Sequence, residues 1–255
     1  MATIAENIQT LRSIKSDIKQ AITDKGGSVG NDFKTYAQAI TDLPSGGGGY
    51  DEQLIDIIEG DITTLNIPEG TKLIKDYTFY RCRSLTSAII PDTVKKIGNY
   101  AFYFCSALTD VTIGNGVTEI ANYAFGSCTA LKSIIIPYGN TILYDNAFNG
   151  CSALTDVTIP NSVKLIATGV FYDCKSLTSV TIPSSVTKIG SYAFAYCSKL
   201  TSITIEATTP PILSSDSFYY ANISKIYVPA ESVDAYKTAT NWSAYADRIQ
   251  AIPTV

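Results

Sequence analysis

Six cysteines stand 23 residues apart, at Cys82, Cys105, Cys128, Cys151, Cys174 and Cys197. Phenylalanine keeps this period three residues earlier, at Phe79, Phe102, Phe125, Phe148, Phe171 and Phe194. Leucine keeps it three residues later, from Leu85 to Leu200, and isoleucine keeps it eleven after each Phe, from Ile90 to Ile205. Four apolar columns in phase mean one supersecondary unit copied along the chain. A 23-residue unit is too short to bury its own apolar side chains. It must stack on its neighbours and share one continuous core with them.

The copy at residues 94–113 reads V-K-K-I-G-N-Y-A-F-Y-F-C-S-A-L-T-D-V-T-I. Its end, L-x-x-V-x-I, alternates apolar with polar, as a half-buried strand does. Leu, Val and Ile should point inward, and the residues between them outward. Proline then closes the strand at Pro91, Pro137, Pro160 and Pro183, where no further ladder donor is needed. The segment around Ala-Phe is too short for a regular helix and should be a turn or a single helical turn. Strands of adjacent coils should lie about 4.8 Å apart in a parallel sheet, so roughly seven coils give a rod about 34 Å long.

The pattern degenerates at both ends. Residues 62–70, ITTLNIPEG, supply only a strand and a Pro68 stop. Near the other end Phe218 and Pro229 persist, but Ala221 stands where Cys would fall and the unit is one residue short. The following ESVDAYKTATNWSAYADRI reads as an amphipathic helix with Val233, Tyr236 and Trp242 on one side. An open solenoid end exposes a sheet edge and a core, so this helix should be its cap.

The unit I-G-x-Y-A-F-x-x-C-x-x-L-T-x-V-x-I-P resembles the BspA-type leucine-rich repeat over residues 62 to about 230. That resemblance implies a right-handed leucine-rich-repeat superhelix of the α/β repeat class, used for binding rather than catalysis. The tail IYVPAESVDAYKTATNW is similar to the terminal cap of such proteins. One unit departs, with Asn140 for Val and Leu143 for Ile, which bears on a local bulge and not on the fold.

Ahead of the repeats, Ile4, Ile8, Leu11, Ile14, Ile18 and Ile22 keep close to a helical period and form one apolar stripe. Gly26 and Gly27 end that helix. A shorter one follows with Phe33, Tyr36, Ala37 and Ile40 on one face, and then Pro44 and a run of Gly form a flexible linker. The expected organisation is a helical anchor at 1–43, a linker at 44–50, a solenoid at 51–229 and a helical cap at 230–255. Two short helices bury little by themselves. Their stripe should pack against a partner or against copies of itself, the alternative being a self-contained hairpin. The segment is similar to short N-terminal pieces of phage tail and collar proteins.

Histidine is absent, which removes Ser-His-Asp and Cys-His catalysis and His-ligated zinc. Equally spaced cysteines should form a stacked column with parallel Cβ vectors, which suits buried packing better than disulfide geometry. The acidic run from Asp51 to Asp61 lacks the spacing of a calcium loop or a glycosidase carboxylate pair. Neither GGSVGN nor GGGG sits between a strand and a helix, as a phosphate loop must. No catalytic, cofactor or metal site is expected. The net charge of −4 argues against nucleic acid. No run of about 18 apolar residues is present, nor a basic-then-apolar start, so neither a membrane span nor a secretory signal is expected.

What remains is surface. The outward strand positions are small and polar for the most part, such as Asp110, Thr112, Ser179 and Thr181. The loops after each Phe carry Tyr80, Tyr103, Phe104, Tyr172, Tyr196, Tyr219 and Tyr220. Aromatic residues on loops give large contact area with few rotors, so these are the candidate ligand surface. The expected role is display on a phage virion, touching a host-surface protein or glycan or a neighbouring virion protein, with oligomerisation through the helices. The alternative is a BspA-like bacterial adhesin at the cell surface or outside the cell.

Overall fold

The computed structural model describes residues 63–67 and 69–253. The expected anchor stripe, linker and acidic run lie outside the described residues. The strands run β1 (Thr64–Asn66), β2 (Leu73–Ile74), β3 (Ser87–Ile90), β4 (Lys96–Ile97), β5 (Asp110–Ile113), β6 (Glu119–Ile120), β7 (Ser133–Ile135) and β8 (Ile142–Leu143). They continue as β9 (Asp156–Thr158), β10 (Leu165–Ile166), β11 (Ser179–Ile182), β12 (Lys188–Ile189), β13 (Ser202–Ile205), β14 (Ile212–Leu213), β15 (Lys225–Val228) and β16 (Ile249–Ala251).

Odd-numbered strands up to β15 line one face of a parallel β-solenoid, and even-numbered strands up to β14 line a second, narrower one. That makes eight wide-face strands, one more coil than the sequence suggests, because the degenerate ends still supply β1 and β15. Pairing holds the 23-residue register, as in Ser87↔Asp110 and Ser179↔Ser202. One residue is gained before β14, where Lys188 pairs with Ile212. It is lost again after Phe218, so Ser202 still pairs with Lys225. Compensating shifts keep every inward position inward, which a lone one-residue slip would not.

Turns, not helix, form the third side of each coil. On the sheet faces the N–H groups serve both neighbouring coils, Thr109 N donating back to Thr86 O at 2.9 Å and Ile136 N forward to Thr158 O at 3.0 Å. In the turns the coil-to-coil bonds point forward. Phe102 N donates forward to Ala124 O at 2.7 Å, and Tyr100 N and Phe104 N donate forward to Asn122 O and Gly126 O. Aiming three alternate N–H groups at the next coil requires left-handed backbone two residues before and two after each Phe from Phe79 to Phe194. Tyr100 has φ 55° and Phe104 φ 61°.

Inside, the phenylalanine rings stack from coil to coil with centroids 5.0–5.7 Å apart between Phe79 and Phe194. The six cysteines are free and buried. Each thiol from Cys105 to Cys197 donates to the carbonyl of the Phe 26 residues earlier, at 3.0–3.4 Å. Burial, the largest influence, raises the Cys151 and Cys197 thiols from 9.0 to about 12.

Both ladders part at the coil that carries Asn140. The wide face breaks between β5 and β7, and the narrow face between β6 and β8, while the turn side stays bonded through Phe125 N to Ala147 O at 2.9 Å. Asn140 is fully buried where other coils place Val94, Val117, Val163 and Val186. Its Nδ2 donates to Val117 O and Pro137 O, but its Oδ1 has no partner. The wide face parts once more between β9 and β11.

At the C-terminal end, a 3-10 turn (Ala230–Ser232) leads into α1 (Val233–Thr238) and a second 3-10 turn (Ser243–Arg248). Tyr236 and Trp242 are buried on the last coil, donating to Ala207 O and Pro211 O at 2.8 and 2.7 Å. The expected cap is thus less helical than its pattern suggests. The chain leaves α1 after six residues so that β16 can pair with β15 and occupy the edge a longer helix would leave open.

Two consequences are testable. Asn140→Val removes an unpaired buried oxygen, whose desolvation costs about 1–3 kcal/mol, at the loss of two amide hydrogen bonds. A rise in unfolding free energy of about 1 kcal/mol is expected in urea titration. The raised thiols predict alkaline weakening. Folded Cys151 and Cys197 hold protons that the unfolded chain releases above pH 9, so their contribution is complete below that pH and is lost towards about pH 12. Stability measured across that window should fall more steeply for the native chain than for Cys151→Ala.

Candidate functional site: two tyrosine clusters on the turn side

The left-handed positions that the turns demand suit Gly or Asn. Gly169 (φ 61°), Asn146 (φ 58°) and Gly150 (φ 72°) meet that demand in the middle coils. Tyrosine occupies six of the others, Tyr77, Tyr100, Tyr123 and Tyr192 before the Phe and Tyr196 and Tyr220 after it, all with φ of 54–61°, while Arg81, Phe104, Ser127 and Asp173 fill the rest after the Phe. A bulky residue in this region costs about 1–2 kcal/mol. The solenoid register brings these rings together in two clusters.

The first cluster gathers Tyr80, Tyr103 and Phe104 with Tyr77, Tyr100 and Tyr123. Tyr77, Tyr100 and Tyr123 stack as a ladder with centroids 5.0 and 4.8 Å apart and planes within 7°. Tyr80 stacks on Tyr103 at 5.7 Å, and Tyr103 meets Tyr100, Tyr123 and Phe104 edge-on. Arg81 holds its guanidinium 5.4 Å from the Tyr80 ring and 5.7 Å from the Phe104 ring. Partial burial first, and the surrounding phenols second, push the Tyr100 hydroxyl above its usual 10.0.

The second cluster gathers Tyr172, Tyr196, Tyr219 and Tyr220 with Tyr192. Tyr196 stacks on Tyr220 at 5.2 Å, and Tyr219 stands edge-on to both Tyr192 and Tyr196. Tyr219 and Tyr220 are among the most exposed large side chains, at 47% and 67%. The proximity of Tyr220 raises the Tyr219 hydroxyl, and burial raises that of Tyr172.

The sequence candidates therefore fall into both clusters, but the column two residues before each Phe was missed. Its signal was present as the Tyr of I-G-x-Y-A-F, which reads as part of the repeat and not as surface. Two grooves accompany these features. One, of about 410 Å³, runs beside the Tyr77–Tyr100–Tyr123 ladder. The other, of about 470 Å³, opens where β9 and β11 part, between the outward Asp156, Thr158, Ser179 and Thr181. Among the described residues no group of three or more Cys, Asp or Glu is placed to hold a metal, and no helix is long and apolar enough to cross a membrane.

The model of the BspA type leucine rich repeat region matches residues 59–177 and 118–243, in six copies. The chain belongs to this family. Among solved structures it is similar to the T. pallidum leucine rich repeat protein, with 31% identity and a TM-score of 0.55 over 57% of this chain and 73% of that one. It is also similar to a Bacteroides ovatus leucine-rich repeat protein (24% identity, TM-score 0.40, 65% of this chain and 63% of that one). A leucine rich cell surface protein of Faecalibacterium prausnitzii matches at 20% identity and TM-score 0.37, over 76% of this chain and 89% of that one. No curated protein matches the chain significantly.

Within this BspA-type solenoid, the inner and outer aromatic columns should respond differently to mutation. Phe125 is buried with no exposure, so Phe125→Ala should cost about 3–5 kcal/mol. Tyr123→Asn relieves a left-handed tyrosine, worth about 1–2 kcal/mol, and loses a ring stack on Tyr100 and an edge-on contact with Tyr103, each worth about 0.5–1.5 kcal/mol. Its unfolding free energy should stay within about 1 kcal/mol of the native value in the same urea titration.

Proposed function

We propose that this chain is a non-catalytic recognition module whose tyrosine clusters contact a partner. The observation that supports this is the placement of exposed tyrosine at turn positions where Gly and Asn serve the backbone equally well. Strained backbone tends to persist where the residue has a task other than stability. Membership of the BspA-type family agrees with an interaction module, and the absence of histidine narrows the room for an active site.

The setting we propose rests on the order of segments expected from the sequence. An amphipathic helical pattern, a glycine-rich stretch and then a solenoid suit display from a larger assembly, and the resemblance of the N-terminal pattern to phage tail and collar pieces supports a virion appendage. Contact would then be with a host-surface molecule or a virion neighbour. Family membership favours a second reading, a BspA-like protein of a bacterial cell surface.

Both readings use the stripe of Ile4, Ile8, Leu11, Ile18 and Ile22 as a docking or assembly face. Light scattering on the full chain and on full chain carrying Ile8→Asp and Ile18→Asp checks this. A defined oligomer that becomes a monomer in the variant is expected. Monomers in both would remove self-assembly as the role of the stripe.

A further inference from the structure

The groove beside the first tyrosine ladder has a chemistry of its own. One wall is a row of equivalent residues from four successive coils: Asp76, Asn99, Asn122 and Asp145. The other is the ladder Tyr77, Tyr100 and Tyr123, and the groove runs on past the ladder's end over Asn146. We infer that this groove binds a neutral oligosaccharide, an inference that rests on the recognition role proposed above and names the ligand class of that surface.

Three observations converge on this class. Backbone donors at the middle of the row and one coil beyond it are already taken. Asn99 N, Asn122 N and Thr168 N donate to the side-chain oxygens of Asp76, Asn99 and Asp145 at 2.8, 3.2 and 2.9 Å. A peptide strand therefore finds no continuous edge to pair with, and ligand contact falls mainly to side chains. The groups left over are the Asn122 carboxamide, for which no hydrogen bond is recorded among the described residues, and the second oxygen of Asp145. A carboxamide both donates and accepts, and the remaining carboxylate oxygen accepts from a hydroxyl, which together match adjacent hydroxyls on a sugar ring. The groove lining holds two carboxylates and no Lys or Arg, so phosphate, sulfate and carboxylate ligands are repelled.

The rings complete the match. Tyr100 has a ring on either side, but Tyr123 ends the ladder because the next coil places Asn146 in that column. The negative face of an aromatic ring attracts the weakly positive C–H face of a pyranose. The Tyr123 face on the Asn146 side is where one sugar stacks, while its hydroxyls reach Asn122 and Asp145. Neighbouring units of the chain lie along the row of coil-spaced polar groups.

The test uses the full chain on an array of soluble neutral oligosaccharides, sulfated and sialylated counterparts, and a peptide library, followed by titration calorimetry of the best binder. Asn122→Ala and Tyr123→Asn are run in parallel, with circular dichroism and urea midpoints to show that both still fold. Tyr220→Ala reports on the second cluster. The expected result is binding of a neutral oligosaccharide that weakens about tenfold or more in Asn122→Ala and in Tyr123→Asn, equivalent to losing one charge-assisted or amide contact. Preference for anionic glycans, or neutral binding unchanged in both variants, overturns the inference. Peptide binding lost in Tyr123→Asn overturns it while leaving the recognition role standing. Binding to none of the probes, or binding indifferent to all three substitutions, counts against both.

Discussion

Everything in this molecule hangs on one backbone interaction, the hydrogen bond between adjacent coils. On the sheet faces it runs both ways, back from Thr109 N to Thr86 O and forward from Ile136 N to Thr158 O; in the turns it points forward, as from Phe102 N to Ala124 O. Because both sets share one register, every side chain meets its own counterpart in the next coil. Apolar identity at a position then becomes a column, and a column becomes core. The cysteines show how tight this is. Their thiols reach the Phe carbonyls of the preceding coil, so a small apolar-tolerant donor satisfies an acceptor that lies far from water.

That register acts on the surface as it does on the core. Phenylalanine ladders inside and tyrosine ladders outside arise from the same coil spacing, with centroids near 5 Å in both. Their energetics differ. The inner rings are removed from water and hold coils together. The outer rings lie on left-handed backbone whose strain roughly offsets their stacking, so they add area and chemistry at little net gain in stability. A surface of that kind can vary between coils without loss of fold, and it does: Tyr123 gives way to Asn146 and Gly169 before Tyr192 restores it. The variation ends the ladder and separates the two clusters.

Departures from the repeat are absorbed locally. Asn140 puts an amide into the core, and both sheet faces part at its coil while the turn side holds. The residue gained before β14 is lost again after Phe218, since an uncorrected shift would turn the inward face of β15 outward. The final coil is closed by Tyr236 and Trp242 and by β16, which together cover the core and the strand edge.

The solenoid, its register, the inward columns and the existence of a terminal cap were legible in the sequence. A column must keep one apolar type to stack, so Phe79 to Phe194 and Cys82 to Cys197 write the period openly. The extra coil was less legible because the end strands, β1 and β15, keep only part of the pattern. Of the candidate surface, Tyr80, Tyr103 and Tyr196 could be picked out as loop aromatics. Tyr77, Tyr100 and Tyr123 could not, since residue type predicts Gly or Asn for left-handed backbone and tyrosine hides it. The polar row of Asp76, Asn99, Asn122 and Asp145 stayed hidden for another reason. These residues differ in type and are far apart in the chain, and only stacking at the coil spacing makes them neighbours. Composition and period determined what the chain folds into, because burial demands like with like. Which side chains share a groove was decided by the tertiary structure alone, because contact between coils depends on register and backbone direction, and neither is a property of any single residue.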